Sequence, residues 1–500
     1  MNLVDLVDLN ARKFGEKDCL VFGDERVSFK QVKEDSEKVA GILQEKGFKK
    51  GDKAALMSYN TPDFVRVFYG IAKAGGVVVP INHKLTARET EYILGNSDSK
   101  FFFFDGNLHE NIKDINSDIN LIAINEAVQG CDYLTDLISS NPGFKEVDIG
   151  DGDYAELLYT SGTTGNPKGC IHSHQNVIFA GITGALCMKM DSKDKMLMAM
   201  PIWHSSPLNN WFMGAQYVGA TTVLLKEYHP VHFLEAIQKE RCTVYFGAPV
   251  SYLAPLQMVP NFNDYDLSSM RCWIYGGGPI AGDTALQLME KYDSRNFYQV
   301  YGMTESGPTG TVLYPEEQVE KAGSIGQTAL PGADIVVMKE DGSVAGPGET
   351  GEIWIKADCM MEGYYKNPEA TEDAFEGDWY KTGDVARLDE DGYMYIVDRK
   401  KDMIVTGGEN VYSKEVEDAL VSSPDVAQAA VVGKPDNKWG EIVTAFVVKN
   451  EGSEIDAEKL QEYLTKEIAK YKIPREIYFV DELPHTPTGK VKKFELRNEL

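Results

Sequence analysis

Between Tyr159 and Gly169 the chain reads Tyr-Thr-Ser-Gly-Thr-Thr-Gly-Asn-Pro-Lys-Gly. Three glycines, four Ser/Thr hydroxyls and one lysine share these eleven residues, directly after the strand-like run Ala155-Glu156-Leu157-Leu158. Glycine lets backbone N–H groups turn to one side, which Gly162 and Gly165 would allow here. The hydroxyls of Thr160, Ser161, Thr163 and Thr164 and the ammonium of Lys168 add further donors. That combination suits a polyphosphate. It is not a Walker A loop, because no Gly-Lys-Ser/Thr triplet closes it.

The flanking pattern predicts alternating strands and helices. Ser28-Phe29-Lys30-Gln31 has the form of a capping box, followed by Val39, Ile42 and Leu43 at helical spacing and by Gly47 as a stop. Ala54–Met57 and Val77–Val79 read as buried strands, and Thr61-Pro62 starts a helix with proline in its first turn. A second alternation runs from about Val177 to Gln299. Two β/α lobes with mostly parallel sheets follow, over about residues 1–324. From Ile325 turn signals crowd together at Glu340-Asp341-Gly342, Gly346-Pro347-Gly348 and Glu390-Asp391-Gly392, which predicts antiparallel hairpins over about 325–397. The charged break Asp398-Arg399-Lys400-Lys401-Asp402 separates a domain of residues 1–400 from a small α+β domain of residues 401–500.

A chain of 500 residues is too long for one core. Its net charge of −27 argues against general nucleic-acid binding, which needs a basic footprint. Seven scattered cysteines without a CxxC pair indicate neither a disulfide framework nor a zinc site, and a reducing cytoplasm fits. The N-terminus has no basic region and no long apolar core, so a signal peptide is not expected. No apolar run approaches the ~20 residues of a membrane span.

Five more elements follow in order. Pro201-Ile202-Trp203-His204 comes first, then Gly276-Gly277-Gly278-Pro279 after the strand-like Cys272–Tyr275. Next are Tyr301-Gly302-Met303-Thr304-Glu305, Tyr380-Lys381-Thr382-Gly383-Asp384, and Pro484-His485-Thr486-Pro487-Thr488-Gly489-Lys490 near the C-terminus. With the Ser/Thr/Gly loop, this series resembles the adenylate-forming (AMP-binding) superfamily of acyl-CoA synthetases, non-ribosomal adenylation domains and luciferases, and within it the acyl-CoA synthetase branch. The resemblance spans nearly the whole chain. It implies an α/β fold, with a large N-terminal domain of two β/α lobes plus a distorted β-barrel region and a small mobile α+β C-terminal domain.

It also implies roles. The loop, from Thr160 to Gly165 with Lys168, would hold the ATP phosphates. Gly276, Gly277, Gly278 and Pro279 would form the adenine wall, on which Tyr301 packs. Thr304 would contact the α-phosphate and Glu305 would ligate Mg²⁺, a hard cation that takes oxygen ligands. Asp384 would accept both ribose hydroxyls and Arg399 would make a second ribose contact. Lys490 would reach the reacting carboxylate and α-phosphate. Lys401 matches a hinge, and Gly407 and Gly408 would line the tunnel of coenzyme A.

The implied reaction is acyl-CoA formation through an acyl-adenylate, with ATP, Mg²⁺ and coenzyme A. Trp203, His204, Asn210, Gly276, Gly302, Pro308 and Thr309 would wall the acyl pocket, with His204 beside the carboxylate. The Trp203-His204 segment carries no aspartate for a substrate ammonium, so an amino acid substrate is not expected. Relatives confined to acetate or propionate close the pocket with tryptophan where this chain has Gly302. A medium- or long-chain fatty acid is therefore expected first and an aryl acid second. A carrier-loading acyl-AMP ligase and an inactive nucleotide-binding protein are the further alternatives. A homodimer is compatible with the family, and nothing in the sequence decides it.

Overall fold

The computed structural model describes residues 1–115, 119–160, 167–278, 280–400, 402–406, 409–436, 439–485 and 491–500, with backbone alone for Glu409 and Asn410. It divides into two compact units. One takes in most of residues 1–335 with Ile355–Tyr380, and the other Val336–Trp354 with Lys381–Leu500.

The first unit holds two sheets. In the eight-stranded sheet the parallel strands Asp132–Tyr133, Asn120–Ile124, Ser99–Asp105, Lys53–Met57 and Val77–Pro80 lead to strand β1 (Tyr154–Thr160). Strand β2 (Lys168–Ser173) then runs antiparallel to β1, and Gly363–Tyr364 closes that edge. The nine-stranded sheet is parallel from Asp18–Phe22 through Thr221–Leu224, Lys195–Met198, Val244–Gly247 and β3 (Cys272–Gly276) to β4 (Phe297–Tyr301). Antiparallel strands flank it at both edges.

Both sheets are covered on both faces, as parallel sheets must be. The run Phe101–Phe104 shows how. Phe101 and Phe103 point into the large core, while Phe102 and Phe104 point into a separate outer core with Ile93 and Leu94. The large core also gathers Leu20, Met196 and Ile274 from the other sheet around helical Phe64, Phe68, Tyr69, Val177 and Trp211. The outer face of the nine-stranded sheet buries Tyr245, Tyr252, Trp273, Tyr292 and Phe297 as an aromatic cluster, with ring centroids 5.1–6.0 Å apart at Trp273–Tyr292 and Trp273–Phe297.

Local signals mostly act as read. Thr61 caps the helix Pro62–Lys73 by accepting the Phe64 N–H, and Asp456 caps Ala457–Leu464 through the Lys459 N–H. The expected capping box at Ser28 is only half made. Ser28 Oγ accepts the Gln31 N–H at 3.1 Å, but the Gln31 amide is drawn forward to Asp35 Oδ1 at 2.8 Å. The two expected lobes are present, but their strands are not sequential. The hairpin Asp18–Phe22/Glu25–Ser28 leaves the first lobe and joins the far sheet beside Thr221–Leu224.

The antiparallel region is a five-stranded sheet of Ala333–Met338, Thr350–Ala357, Trp379–Leu388, Phe375–Glu376 and Met394–Arg399. Its turns use Gly342, Gly348 and Gly392, all at positive φ. In the second unit, Gly440–Lys449 pairs with Val426–Asp436, Ile404–Thr406 and Glu476–Phe479. The helices Ser413–Val421 and Ala457–Leu464 pack Val416, Leu420, Leu460 and Leu464 against Val431, Val443 and Val447.

The helix after β2, α1 (His174–Cys187), starts with a buried imidazole. His174 Nδ1 accepts the Leu3 N–H at 3.4 Å and so ties down the N-terminal helix. Burial depresses the ring to about 4, against the opposing pull of Asp153, Asp151 and Asp5. The unfolded chain then takes up this proton near 6.5 and the folded chain only near 4. The stabilisation is complete above pH 6.5 and is lost as pH falls towards 4, a term of order 3 kcal/mol. His174→Gln keeps an acceptor without the titration. Its unfolding free energy, measured by urea titration from pH 7 to 4.5, is expected to fall less steeply on acidification than that of the parent protein.

Candidate functional site

The Ser/Thr/Gly loop joins two buried strands. β1 and β2 pair from Tyr154↔Ser173 to Thr160↔Lys168, so the loop leaves and re-enters the sheet at adjacent points. Thr160 and Lys168 are half-buried at its two roots. Ser161, Gly162, Thr163, Thr164 and Gly165 lie outside the described residues, as do Pro279, Lys401, Gly407, Gly408 and Lys490.

Tyr364, which the sequence reading passed over, organises this edge. It is paired opposite Cys170 on β2. Its hydroxyl donates to Glu305 Oε1 at 3.0 Å, and Lys168 Nζ stands 4.7 Å from the centre of its ring. One side chain thus brings the ammonium of the loop and the carboxylate of Glu305 to the same place. Burial, helped by Glu305, pushes the Tyr364 phenol far above its ordinary value, so it stays a donor. Glu305 is itself buried, and its backbone carbonyl accepts the Met361 N–H at 2.9 Å. Among the described residues, no cluster of three His, Cys, Asp or Glu side chains surrounds it. A lone carboxylate of this kind fits Mg²⁺, which takes most of its ligands from nucleotide phosphates and water.

The neighbouring Thr304 is joined to a second segment, since its hydroxyl lies 3.0 Å from Ser205 Oγ. That segment carries Trp203, His204 and Asn210, and each part is anchored. Asn60 Oδ1 accepts the Ile202 N–H at 2.8 Å, and its amide donates to the Met198 and Met200 carbonyls. Trp203 Nε1 donates to His83 Nδ1 at 3.0 Å, which fixes the His83 tautomer with its proton on Nε2. Burial lowers the His83 pKa, against the opposing pull of Glu227. His204 packs beside Trp203, with rings 5.8 Å apart. Ser206–Phe212 then forms a π-helical turn, a rare geometry frequent at functional sites. Within it Asn210 Nδ2 donates to the Ala180 carbonyl.

The glycines are explained by close approach. A Cβ on Gly276, at the end of β3, would lie 2.5 Å from the Val300 carbonyl oxygen. Gly277 takes φ +74°, and Gly278 follows. Tyr301 ends β4, half-buried. At Gly302 a Cβ would lie 2.3 Å from the Pro308 carbonyl oxygen, so the backbones of Gly302, Pro308 and Thr309 pack directly against one another. The direction a side chain would take there is filled by backbone and not by empty space.

In the second unit, Asp384 and Arg399 stand opposite each other on paired strands, with Arg399 Nε 2.8 Å from Asp384 Oδ1. Gly383 turns at φ +71°, and its N–H donates to Glu352. Asp398 accepts the Ser413 and Lys414 N–H groups and so caps the helix Ser413–Val421. Tyr364, Ser205, His83 and Asn60 are additions to the sequence-derived set. Only Ser205, adjoining His204, had a positional signal.

Two family patterns match this chain. The AMP-binding enzyme family covers residues 7–365, and the AMP-binding enzyme C-terminal domain covers residues 415–490. The chain is 35% identical to the long-chain-fatty-acid–CoA ligase FadD13 of Mycobacterium tuberculosis, over 95% of this chain and 93% of that one. It is 33% identical to a feruloyl-CoA synthase of Amycolatopsis sp, over 92% and 91%. Its fold superposes on the o-succinylbenzoate CoA synthetase of Bacillus subtilis in complex with an acyl-adenylate intermediate, with a TM-score of 0.87, 30% identity and 98% and 97% coverage.

Gly302→Ala places a methyl group against a backbone carbonyl that cannot rotate away. A loss of about 1–3 kcal/mol in unfolding free energy is expected, as for other overpacked sites. Urea denaturation checks it.

Proposed function

Because the chain belongs to the AMP-binding enzyme family and is an AMP-forming acid–CoA ligase, we propose that its acid is a medium- or long-chain fatty acid and that the residues above divide the reaction between them. ATP and coenzyme A are its co-substrates. In the first step a carboxylate oxygen attacks the α-phosphate, and pyrophosphate leaves. Adenylation turns a poor acyl leaving group into a good one. In the second step the thiol sulfur of coenzyme A attacks the acyl carbon, and AMP leaves with the electron pair of the cleaved C–O bond.

Positioning and charge neutralisation carry the first step. The loop from Thr160 to Lys168 holds the phosphates with backbone and hydroxyl donors, and Thr304 contacts the α-phosphate. Glu305, held by Tyr364, would ligate Mg²⁺, which when bound with ATP spreads the charge of the departing pyrophosphate. Asp384 and Arg399 take the ribose, while Gly276–Pro279 and Tyr301 take the adenine. Lys490 draws in the carboxylate and stabilises charge on the α-phosphate. In the second step Gly407 and Gly408 leave room for the pantetheine arm, with Lys401 as the hinge between residues 1–400 and 401–500.

The fatty acid reading rests on one observation above all, the 35% identity over 95% of the chain to a long-chain ligase. A saturated chain of this kind is held in an apolar pocket. Each methylene buried in such a pocket contributes about 0.8 kcal/mol. The aryl reading stands second, on the 33% identity to a feruloyl-CoA synthase. No helix among the described residues is long and apolar enough to cross a membrane.

Two measurements test these assignments. Pyrophosphate release is followed over saturated acids of graded length and over benzoate and coumarate, with and without coenzyme A. The highest kcat/KM is expected on saturated acids from about six carbons upward, each added methylene gaining up to about fourfold until the pocket is full. A maximum on the aryl acids would replace the fatty acid reading. Lys490→Ala is expected to lower adenylation by about a hundredfold or more. It should leave thioester formation from preformed acyl-adenylate within about threefold of the parent rate, and equal loss in both half-reactions would overturn the role given to Lys490.

A further inference from the structure

Beneath the site lies a group of polar side chains that the assigned chemistry does not use. Glu156 on β1 and His172 on β2 are direct cross-strand partners. Their side chains therefore share one face of the sheet, with Cβ atoms about 5 Å apart. Glu156 is 0% exposed and His172 is 1% exposed. Asn209, also 0% exposed, donates from Nδ2 to Glu156 Oε1 across the gap from the π-helical turn. Glu156 Oε2, both ring nitrogens of His172 and Asn209 Oδ1 find no protein hydrogen-bond partner. Burial holds Glu156 at about 7 and His172 at about 4, so the pair is not an ion pair at neutral pH.

The location gives these residues a task. Cys170, two residues along β2 on the same face as His172, feels the charges of Glu305 and Lys168. The Thr304 backbone lies against the His172 ring and opposes its depressed pKa, without meeting hydrogen-bond geometry. Asn209 belongs to the segment whose Ser205 hydroxyl meets that of Thr304. The strands that root the Ser/Thr/Gly loop, the Thr304–Glu305 turn and the segment bearing His204 and Asn210 therefore converge here. A buried polar group left partly unsatisfied is costly, and an apolar filling of the same shape would avoid that cost. Sequences keep such violations where function needs them.

We propose that Glu156 and Asn209, buried beside His172, are positioning residues, which lock the 203–212 segment, and through Ser205 the Thr304 hydroxyl, onto the strands that root the loop. The anchors form a series along the segment. Asn60 holds its start at Ile202, His83 holds Trp203, and Glu156 holds Asn209 in the turn. Freed at Glu156, the turn relaxes and Ser205 carries Thr304 out of register. The placement of Thr304 at the α-phosphate rests on the proposed reaction, while the mechanical coupling does not.

The test uses the full-length protein and two readouts. Amide hydrogen exchange reads the coupling in the absence of any substrate, and acid-dependent pyrophosphate release reads its consequence. In Glu156→Leu, amides of residues 203–212 are expected to exchange at least about tenfold faster, while the global unfolding midpoint stays within a few degrees or rises. The adenylation kcat is expected to fall by about tenfold or more, with the KM for ATP changed by less than about threefold. Glu156→Gln, which keeps the acceptor for Asn209, is expected to restore both readouts to near the parent values. Should Glu156→Leu not fold, Asn209→Leu cuts the same bond from the other side and is read in the same way. Unchanged protection of 203–212, a loss shared evenly with the rest of the fold, or a Gln variant as impaired as the Leu variant would each overturn the proposal. Faster local exchange in a protein inactive on every acid would support the coupling and would count against the reading of the reaction instead.

Discussion

The antiparallel pairing of Tyr154–Thr160 with Lys168–Ser173 is the constraint on which the rest of the site depends. Its parallel neighbours end their strands and mostly cross over through helices. This pair turns back on itself, so both ends of the Ser/Thr/Gly loop are rooted in one buried edge of the sheet. Tyr364 extends that edge by one more short strand, which places a phenol between Lys168 and Glu305. The attraction at its ring face and the bond from its hydroxyl act on opposite charges. A single aromatic residue can therefore hold a cation and an anion near each other without letting them neutralise one another.

The segment 198–212 shows a different economy. Over 199–205 its backbone is irregular and mostly buried, so its polar groups need partners from elsewhere. Asn60 supplies three hydrogen bonds and His83 one. Both come from the first lobe, whereas the segment follows a strand of the second sheet. The site is thus assembled where the two lobes meet, and each lobe constrains what the other presents.

Much of this was legible in the sequence. Thr61-Pro62 and Asp456 announced their helices because capping is a local reaction between neighbouring residues. Gly342, Gly348 and Gly392 announced turns for the same reason. The six ordered motifs gave the family, which the match over residues 7–365 then showed. Other features were not legible because they depend on contacts between distant residues. Tyr364 looks like an ordinary aromatic until its strand is seen beside Cys170. His83 and Asn60 sit in unremarked stretches, about 120 and 142 residues before the groups they hold. Gln31 had the right spacing for a capping box, but Asp35, one turn further on, competed for its amide. Gly302 was read as room for substrate, while the structure shows why glycine is needed there, since Pro308 fills the space beside it.

The hairpin Asp18–Phe22/Glu25–Ser28 bears on how the protein is made. Its partner strand, Thr221–Leu224, is synthesised about 200 residues later. At ~5–20 residues per second, the first strands wait about 10–40 seconds on the ribosome before their hydrogen-bonding edge can be covered. Cys19, Leu20 and Val21, fully buried in the end, spend that interval without their sheet. The first lobe can form its own sheet during this time, but the second cannot reach full width until the oldest part of the chain is taken in. The hairpin is therefore made first but cannot join that sheet until Thr221–Leu224 has been synthesised, and its apolar strand, paired on one side by Glu25–Ser28, keeps its other edge uncovered until then.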